Sequence, residues 1–124
     1  MKLLLDTHAA IWWLSADGRL GAEAARQLAD ETNQMLLSAA VVWEVAVKRS
    51  LGKLDVPDGF AEAMLSGGAQ PVGVTVDHAA AVEHLPWHHR DPFDRILIAQ
   101  AQIERAALVS GDKALAAYGV PVVW

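Results

Sequence analysis

The stretch Lys2-Leu3-Leu4-Leu5-Asp6 decides the fold of this chain. Its three consecutive leucines predict a short β-strand covered on both faces, because a strand with one face in water alternates apolar and polar residues. In a parallel α/β sheet the carboxyl ends of the strands share one edge, where binding crevices form. The stretch therefore predicts a parallel sheet and places its acid, Asp6, at the edge where a functional site is expected.

Strand and helix patterns alternate along the rest of the sequence. Further strands are predicted at residues 34–37, 72–76, 108–110 and 120–124. Helices are predicted at residues 8–15, 22–31, 40–51, 60–65, 77–85, 91–105 and 114–117. This alternation predicts the α/β class, with a three-layer α/β/α architecture around a central, mostly parallel sheet. No repeat or linker divides the 124 residues, so we predict a single domain spanning residues 1–124.

Three further acids occupy positions comparable to that of Asp6. Glu44 lies on the helix after the second strand, Asp94 in the first turn of a long helix, and Asp112 just after a later strand. The chain has no cysteine, and convergent carboxylates alone provide the oxygen ligands that hard divalent cations prefer. The sequence therefore predicts a metal centre formed by Asp6, Glu44, Asp94 and Asp112.

The three aspartates also have a purely structural interpretation. Asp6 and Asp112 each precede a predicted helix and can serve as its N-cap. Asp91-Pro92-Phe93-Asp94 has the form of a helix start, with Asp91 as N-cap and Pro92 at the first helical position. Taken singly, each of these acids is explained by helix capping as well as by metal binding.

Glu44 is harder to explain structurally. Apolar residues flank it at 41–43 and 45–47, so its carboxylate enters a helix that is apolar nearly all round. A buried glutamate without a partner costs several kcal/mol, so we expect a metal ion or a basic side chain beside it. Pairing with Lys48 at i,i+4 is the structural alternative, although an exposed pair contributes only a few tenths of a kcal/mol.

Four segments of the chain together carry a family resemblance. They read LLLDTH at 3–8, SAAVVWE at 38–44, HRDPFDRILIAQA at 89–101 and LVSGD at 108–112. In this order and spacing they resemble the PIN domains of the VapC toxin type, over essentially the full chain. The resemblance implies a PIN-like fold and a ribonuclease that is the toxin of a type II toxin-antitoxin system, with a VapB-like antitoxin as its partner.

The resemblance also implies roles for individual residues. Asp6, Glu44, Asp94 and Asp112 match the catalytic acids that hold Mg²⁺ or Mn²⁺ in that family, whose members cleave RNA. Asp91 matches an acid of the Asp-Pro-Phe-Asp subgroup. Because Asp91 and Asp94 face the same side of a helix, either can take the metal-binding role.

Two hydroxyl residues and a choice of mechanism complete the expected site. Thr7 and Ser110 match small hydroxyl residues that support such sites. No histidine is placed as an obvious general base, so we assign water activation to metal and carboxylate, with one or two ions left open. Four carboxylates this close cannot all stay ionised without cations, so the metal-free site is expected to show raised carboxyl pKa values.

The charge balance is compatible with an RNA substrate but does not indicate one by itself. Ten Lys and Arg against 15 Asp and Glu give a net charge of -5, which is no general nucleic-acid footprint. Two divalent cations at the proposed site would bring the total to about -1. The basic side chains expected to contact RNA phosphates, or else to be solvated helix ends, are Lys48, Arg49, Arg90, Arg95 and Lys113.

The apolar composition indicates a partner. With 53% hydrophobic residues in 124, the chain is expected to have apolar surface covered by an antitoxin or by a second copy in a homodimer. The helices that carry Trp12, Trp13 and residues 41–47 offer the apolar groove. For the tryptophans themselves, packing in the core or an interface is favoured over stacking on bases.

Other classes fit the sequence less well. A phosphorylation-receiver domain requires an adjacent acid pair, where this chain has Asp6-Thr7, and a late Lys-Pro that is absent. A haloacid-dehalogenase phosphotransferase requires an aspartate where His8 stands. Zinc binding by the five histidines is disfavoured because His88 and His89 are adjacent and diverge. A catalytically inactive PIN-like scaffold that acts by protein binding remains an alternative.

The sequence also bounds the compartment. Residues 1–5 resemble the start of a signal peptide, but Asp6 and His8 interrupt the apolar run too early. No stretch approaches the roughly 18 apolar residues of a membrane span. We therefore expect a cytoplasmic protein without membrane association, and the lack of cysteine excludes disulfides and thiol-rich zinc sites.

Overall fold

The centre of the molecule is a five-stranded parallel sheet. The computed structural model describes all residues from 1 to 124. The strands are β1 (Lys2–Leu5), β2 (Gln34–Ser38), β3 (Gln70–Val72), β4 (Ala107–Val109) and β5 (Val122–Val123). Their order is β3-β2-β1-β4-β5, and all four pairings are parallel. The predicted three-layer α/β/α fold is confirmed, with a sheet that is parallel throughout.

Six α-helices connect and cover the strands. They are α1 (Thr7–Leu14), α2 (Ala22–Ala29), α3 (Ala39–Ser50), α4 (Phe60–Ser66), α5 (Val76–Ala81) and α6 (Pro92–Glu104). Two 3₁₀ segments, Val82–His84 and Lys113–Tyr118, replace parts that were predicted to be α-helical. None of the helices is both long and apolar enough to cross a membrane.

One predicted strand is wrong in position. The β-branched run at 72–76 was expected to form it, but β3 ends at Val72, and Val76 is 85% exposed. The reason is a capping box, in which the Thr75 hydroxyl accepts the His78 N–H and His78 Nδ1 accepts the Thr75 N–H. This reciprocal cap starts α5 at Val76 and ends the extended backbone before it.

The stretch at residues 2–6 occupies the position its composition predicts. Leu3, Leu4 and Leu5 are fully buried between β2 and β4. Asp6 continues the ladder for one residue, because its N–H donates to the Val109 carbonyl at 3.0 Å. The strand ladder therefore fixes the first acid at the carboxyl edge of the sheet.

A buried polar link fixes the two helices that carry the other interior acids. The Ser38 hydroxyl, at the end of β2, accepts the Ala40 N–H at 3.0 Å and donates to Gln100 Oε1 at 2.6 Å. Ser38 and Gln100 are both fully buried. Because Ser38 caps α3 and Gln100 belongs to α6, the link sets the helix of Glu44 against the helix of Asp94.

Candidate metal centre

The predicted acids converge in one cleft at the carboxyl edge of the sheet. The cleft has a volume of about 650 Å³. Its lining includes the carboxylates of Asp6, Glu44, Asp91, Asp94 and Asp112. Residues up to 106 positions apart in the sequence therefore share one cavity, as the parallel topology predicts.

Asp6 acts as a helix cap and lines the cleft at the same time. Its Oδ1 accepts the Ala9 N–H at 2.8 Å, which makes it the N-cap of α1. Burial raises the pKa of the Asp6 carboxyl, and the nearby Glu44 charge raises it further. Hydrogen bonds from Ser110 and Ala9 oppose the rise but do not cancel it. A bound cation would relieve the remaining cost of ionisation.

Glu44 is buried, as expected, and has two protein donors. The Thr7 hydroxyl donates to Oε1 at 2.5 Å, and the Lys48 ammonium donates to Oε2 at 2.5 Å. The hydrogen bond between Lys48 and Glu44 raises the pKa of Lys48. Glu44 therefore has the basic partner that was expected. The pair differs from an exposed i,i+4 pair because the acid is buried. Removing Lys48 would leave an unpaired buried charge, which is far costlier than losing a surface pair.

Asp91 and Asp94 line the same cleft but have different surroundings. Asp91 is the N-cap of α6, since its Oδ1 accepts the Phe93 N–H at 2.8 Å. Asp94 lies in the first turn, and its carboxyl pKa is raised to about 6, first by burial and then by the Asp91 charge. The raised carboxyl pKa values expected of the metal-free site are therefore seen at Asp6 and Asp94.

Asp112 and the two hydroxyl residues complete the acidic wall, the part of the cleft lined by the carboxylates. Asp112 caps the 3₁₀ segment, with Oδ1 accepting the Ala114 N–H at 3.0 Å. The buried Ser110 hydroxyl accepts the Asp112 N–H at 3.1 Å and also hydrogen-bonds Asp6. Thr7 donates to Glu44. Both hydroxyls therefore orient acids rather than face open solvent.

His89 belongs to the site, although sequence reasoning did not single it out. Its Nε2 lies 3.0 Å from Asp112 Oδ2 and 3.4 Å from Asp94 Oδ2. His8 lines the cleft itself and is exposed. The available signal was the place of His89 in the loop that leads into Asp91-Pro92-Phe93-Asp94.

Arg95 was wrongly predicted to contact RNA. It is 3% exposed, and its guanidinium stacks over the Trp87 ring at 3.8 Å. Its donors reach the Tyr118 hydroxyl and the backbone carbonyls of Val82, Leu85, Pro86 and His89. An arginine placed this way organises a loop, because leaving those buried carbonyls unpaired would be costly.

The other basic candidates differ in their relation to the cleft. Lys48 lines it, whereas Arg49 pairs with Asp58, and Arg90 and Lys113 are exposed outside it. Arg19, which the sequence did not single out, lines the cleft and pairs with Asp17 at 2.8 Å.

An aromatic wall faces the acids. His8, Trp12 and Trp124 line the cleft, with ring centroids 5.4 Å apart for His8 and Trp12 and 5.8 Å apart for Trp12 and Trp124. The Arg19 guanidinium lies 5.0 Å from the Trp12 ring centroid. The lining of the cleft therefore combines carboxylates with aromatic rings and one guanidinium.

The donor set fits a hard divalent cation. The groups that face the cleft from the acidic wall are carboxylate oxygens, which Mg²⁺ and Mn²⁺ prefer. Three of the acids use one oxygen for a backbone cap and keep a second oxygen. Burial of Asp6 and Asp94 without full compensation supplies the electrostatic reason for a cation to bind.

Fold and site together define a class, an α/β protein with a carboxylate cluster at the carboxyl edge of a parallel sheet. Residues 3–121 match the PIN domain family, and the chain belongs to that family. This membership sets aside the receiver-domain and dehalogenase alternatives. Ribonuclease VapC22 of Mycobacterium tuberculosis (strain ATCC 25618 / H37Rv) is 30% identical in an alignment that covers 98% of each chain. The resemblance to VapC-type PIN domains is confirmed.

Solved structures share the fold at low sequence identity. VapBC2 from Rickettsia felis, bound to a DNA fragment from its promoter, matches with a TM-score of 0.71 and 12% identity over 98% of this chain and 97% of that one. VapBC-1 from nontypeable Haemophilus influenzae matches with a TM-score of 0.68 and 15% identity over 98% and 96%. A toxin-antitoxin complex from Klebsiella pneumoniae matches with a TM-score of 0.63 and 24% identity over 98% of this chain and 96% of that one. These likenesses confirm the fold.

Replacing Asp94 by asparagine is expected to stabilise the metal-free protein at neutral pH. The folded protein holds the Asp94 proton up to a pKa of about 6, above the ordinary value, so this favourable contribution is lost as pH rises through 6. Asparagine does not ionise. In chelator, the melting temperature of Asp94→Asn should exceed that of wild type at pH 7.5, and the difference should shrink towards pH 4.

The exposed Glu31 provides the matched control. Glu31→Gln lies outside the cleft and should shift the melting temperature little at either pH. A wild type that is more stable than Asp94→Asn at pH 7.5 in chelator would contradict the account of Asp94 as an uncompensated carboxylate.

Proposed function

We propose that this protein is a metal-dependent endoribonuclease that cleaves RNA phosphodiester bonds as the toxin of a type II toxin-antitoxin system. The observation that carries the proposal is the convergence of five carboxylates in one cleft of a PIN domain. The similarity to Ribonuclease VapC22 over 98% of both chains supports RNA as the substrate.

The proposed cofactor is Mg²⁺ or Mn²⁺, held by Asp6, Glu44, Asp94 and Asp112. A bound divalent cation supplies positive charge for the phosphoryl oxygens and favours deprotonation of the attacking water. Asp94 must release its own proton to become a ligand, so metal affinity is expected to fall as pH drops below about 6. Asp91, whose charge helps to raise the pKa of Asp94, is proposed to add negative charge to the cleft beside the four ligands.

The chain itself provides groups for both parts of an RNA strand. The Lys48 ammonium and the Arg19 guanidinium line the cleft and are placed to meet phosphate oxygens. Arg49, Arg90 and Lys113 remain proposed contacts to flanking phosphates outside the cleft. Trp12 and Trp124 offer ring faces on which an unpaired base can stack.

A VapB-like antitoxin is the proposed protein partner. The structures that match this fold include VapBC complexes of Rickettsia felis and Haemophilus influenzae. Beside the cleft lies a second cavity of about 320 Å³ between α1 and α4, with apolar lining from Ile11, Leu14, Val56 and Phe60. It shares Trp12 and Arg19 with the acidic cleft. A partner segment seated there would also reach the acids.

A homodimer is the proposed way to cover the remaining apolar surface. Trp43, on the helix that carries Glu44, is 62% exposed and packs edge-on against Phe93 at 5.0 Å between centroids. This aromatic pair is large and open to solvent, as at interfaces between protein chains.

Isosteric changes to the four acids should abolish cleavage. Asp6→Asn, Glu44→Gln, Asp94→Asn and Asp112→Asn keep the side-chain shape but remove a charge that binds metal. We expect each to lower kcat/KM for single-stranded RNA by on the order of 100-fold or more. Asp91→Asn retains a cap and should lose less.

The assay compares these variants with wild type and with Glu31→Gln in Mg²⁺, in Mn²⁺ and in chelator. Circular dichroism checks that each variant is folded. Wild-type cleavage that persists in chelator, or in all four folded variants, would refute a carboxylate-bound metal mechanism.

Replacing Trp12 by leucine should weaken RNA binding. If a base stacks on this ring, its loss costs about 1–3 kcal/mol, or about 5- to 150-fold in the dissociation constant. Fluorescence anisotropy with a single-stranded RNA in Mg²⁺ measures the dissociation constant. The measurement is made in an Asp112→Asn background, which prevents cleavage. Trp43→Leu, which alters an exposed tryptophan outside the cleft, is the control. Equal weakening in both variants would contradict a stacking role specific to the aromatic wall.

A further inference from the structure

His89 joins two of the proposed metal-binding acids through a single ring nitrogen. Its Nε2 is 3.0 Å from Asp112 Oδ2 and 3.4 Å from Asp94 Oδ2. The ligand atoms of the three side chains all lie within 4.8 Å of one another. This geometry has two chemical interpretations. Either the His89 nitrogen binds the cation itself, or it donates a hydrogen bond to a carboxylate that binds the cation.

The other ring nitrogen decides between these readings. The Asp91 N–H donates to His89 Nδ1 at 3.1 Å, so Nδ1 presents a lone pair. The ring hydrogen is then on Nε2, where Asp112 Oδ2 accepts it at 3.0 Å, while Asp94 Oδ2 lies 3.4 Å from the same nitrogen. A metal ligand at Nε2 would need the opposite tautomer, with an Nδ1–H directed at the Asp91 N–H.

The backbone of His89 is held from both sides, which fixes the ring. Its N–H donates to the Tyr118 hydroxyl at 2.9 Å, and its carbonyl accepts from Arg95 Nη1 at 3.2 Å. The buried Arg95 binds three more carbonyls of the same loop. The histidine is therefore preorganised beside the acids, and its side chain is only 21% exposed.

His89 and the helix cap act on opposite oxygens of one acid. Asp112 Oδ1 accepts the Ala114 N–H, and Asp112 Oδ2 faces His89. Asp94 has no cap and faces His89 through its own Oδ2. Each carboxylate oxygen accepts more than one bond, so lone pairs remain for a cation.

We propose that His89 is a positioning residue, whose Nε2–H holds the Asp112 carboxylate beside Asp94 for a divalent cation without binding that cation itself. The inference rests on the proposed function, which makes these acids metal ligands. Partners that hydrogen-bond metal ligands typically contribute 10- to 100-fold to metal affinity, and this sets the expected size of the effect.

The test measures Mn²⁺ affinity by electron paramagnetic resonance on the full chain, without RNA. His89→Leu removes the donor and should weaken Mn²⁺ binding by about 10- to 100-fold. His89→Gln keeps an amide N–H near the Nε2 position and should restore most of the affinity. His84→Leu, which alters an exposed histidine paired only with Glu83, should bind as wild type does.

Electron spin echo measurements on wild type with bound Mn²⁺ need no variant to fold. The proposal predicts no directly coordinated ¹⁴N from His89, and a directly bound histidine nitrogen would overturn it. Unchanged affinity in folded His89→Leu, or a folded His89→Gln as weak as His89→Leu, would also overturn it. These results leave the proposed function standing, whereas a wild type that binds no Mn²⁺ would refute both.

Discussion

The burial of several carboxylates in one cleft is the constraint around which the rest of this structure is arranged. Poor solvation disfavours their ionisation, the charges of neighbouring acids disfavour it further, and the raised pKa values of Asp6 and Asp94 record that cost. The protein lowers it with donors: Thr7 and Lys48 on Glu44, backbone N–H groups on the capping aspartates, and His89 on Asp112. Asp94 has the least of this support, which makes it the acid that gains most from a cation.

Capping a helix and lining the acidic cleft are compatible roles for the aspartates. Asp6, Asp91 and Asp112 each give one oxygen to a backbone N–H at a helix start and still line the cleft. The α/β topology explains the coincidence, because the carboxyl ends of the strands and the starts of the following helices lie at the same edge. A residue that turns the chain into a helix there is automatically near the site.

Local sequence determined much of the fold and the acids of the site. Leu3 to Leu5 could only be a doubly covered strand, and the positions of Asp6 and Asp112 after strands brought them to one edge. The strand predicted at 72–76 failed because β-branched composition was taken as decisive, while Thr75 and His78 cap a helix instead.

The remaining misses depend on contacts that no short stretch reveals. Arg95 is buried because carbonyls 6 to 13 positions earlier converge on it, so a charged residue beside an acid looked like a substrate contact. His89 reaches Asp112 across 23 positions only because that loop is tied to Arg95 and Tyr118. Contacts between residues this far apart leave no periodic pattern or fixed spacing in the sequence from which they could be predicted.

The central claim is that the acidic cleft binds a divalent cation. Anomalous diffraction from a crystal soaked in Mn²⁺ tests it most directly. The account predicts a peak inside the cleft, within ligand distance of Asp94 and of at least one of Asp6 and Asp112. A saturating soak that gives no peak in an open cleft, or a peak only elsewhere on the protein, would contradict it.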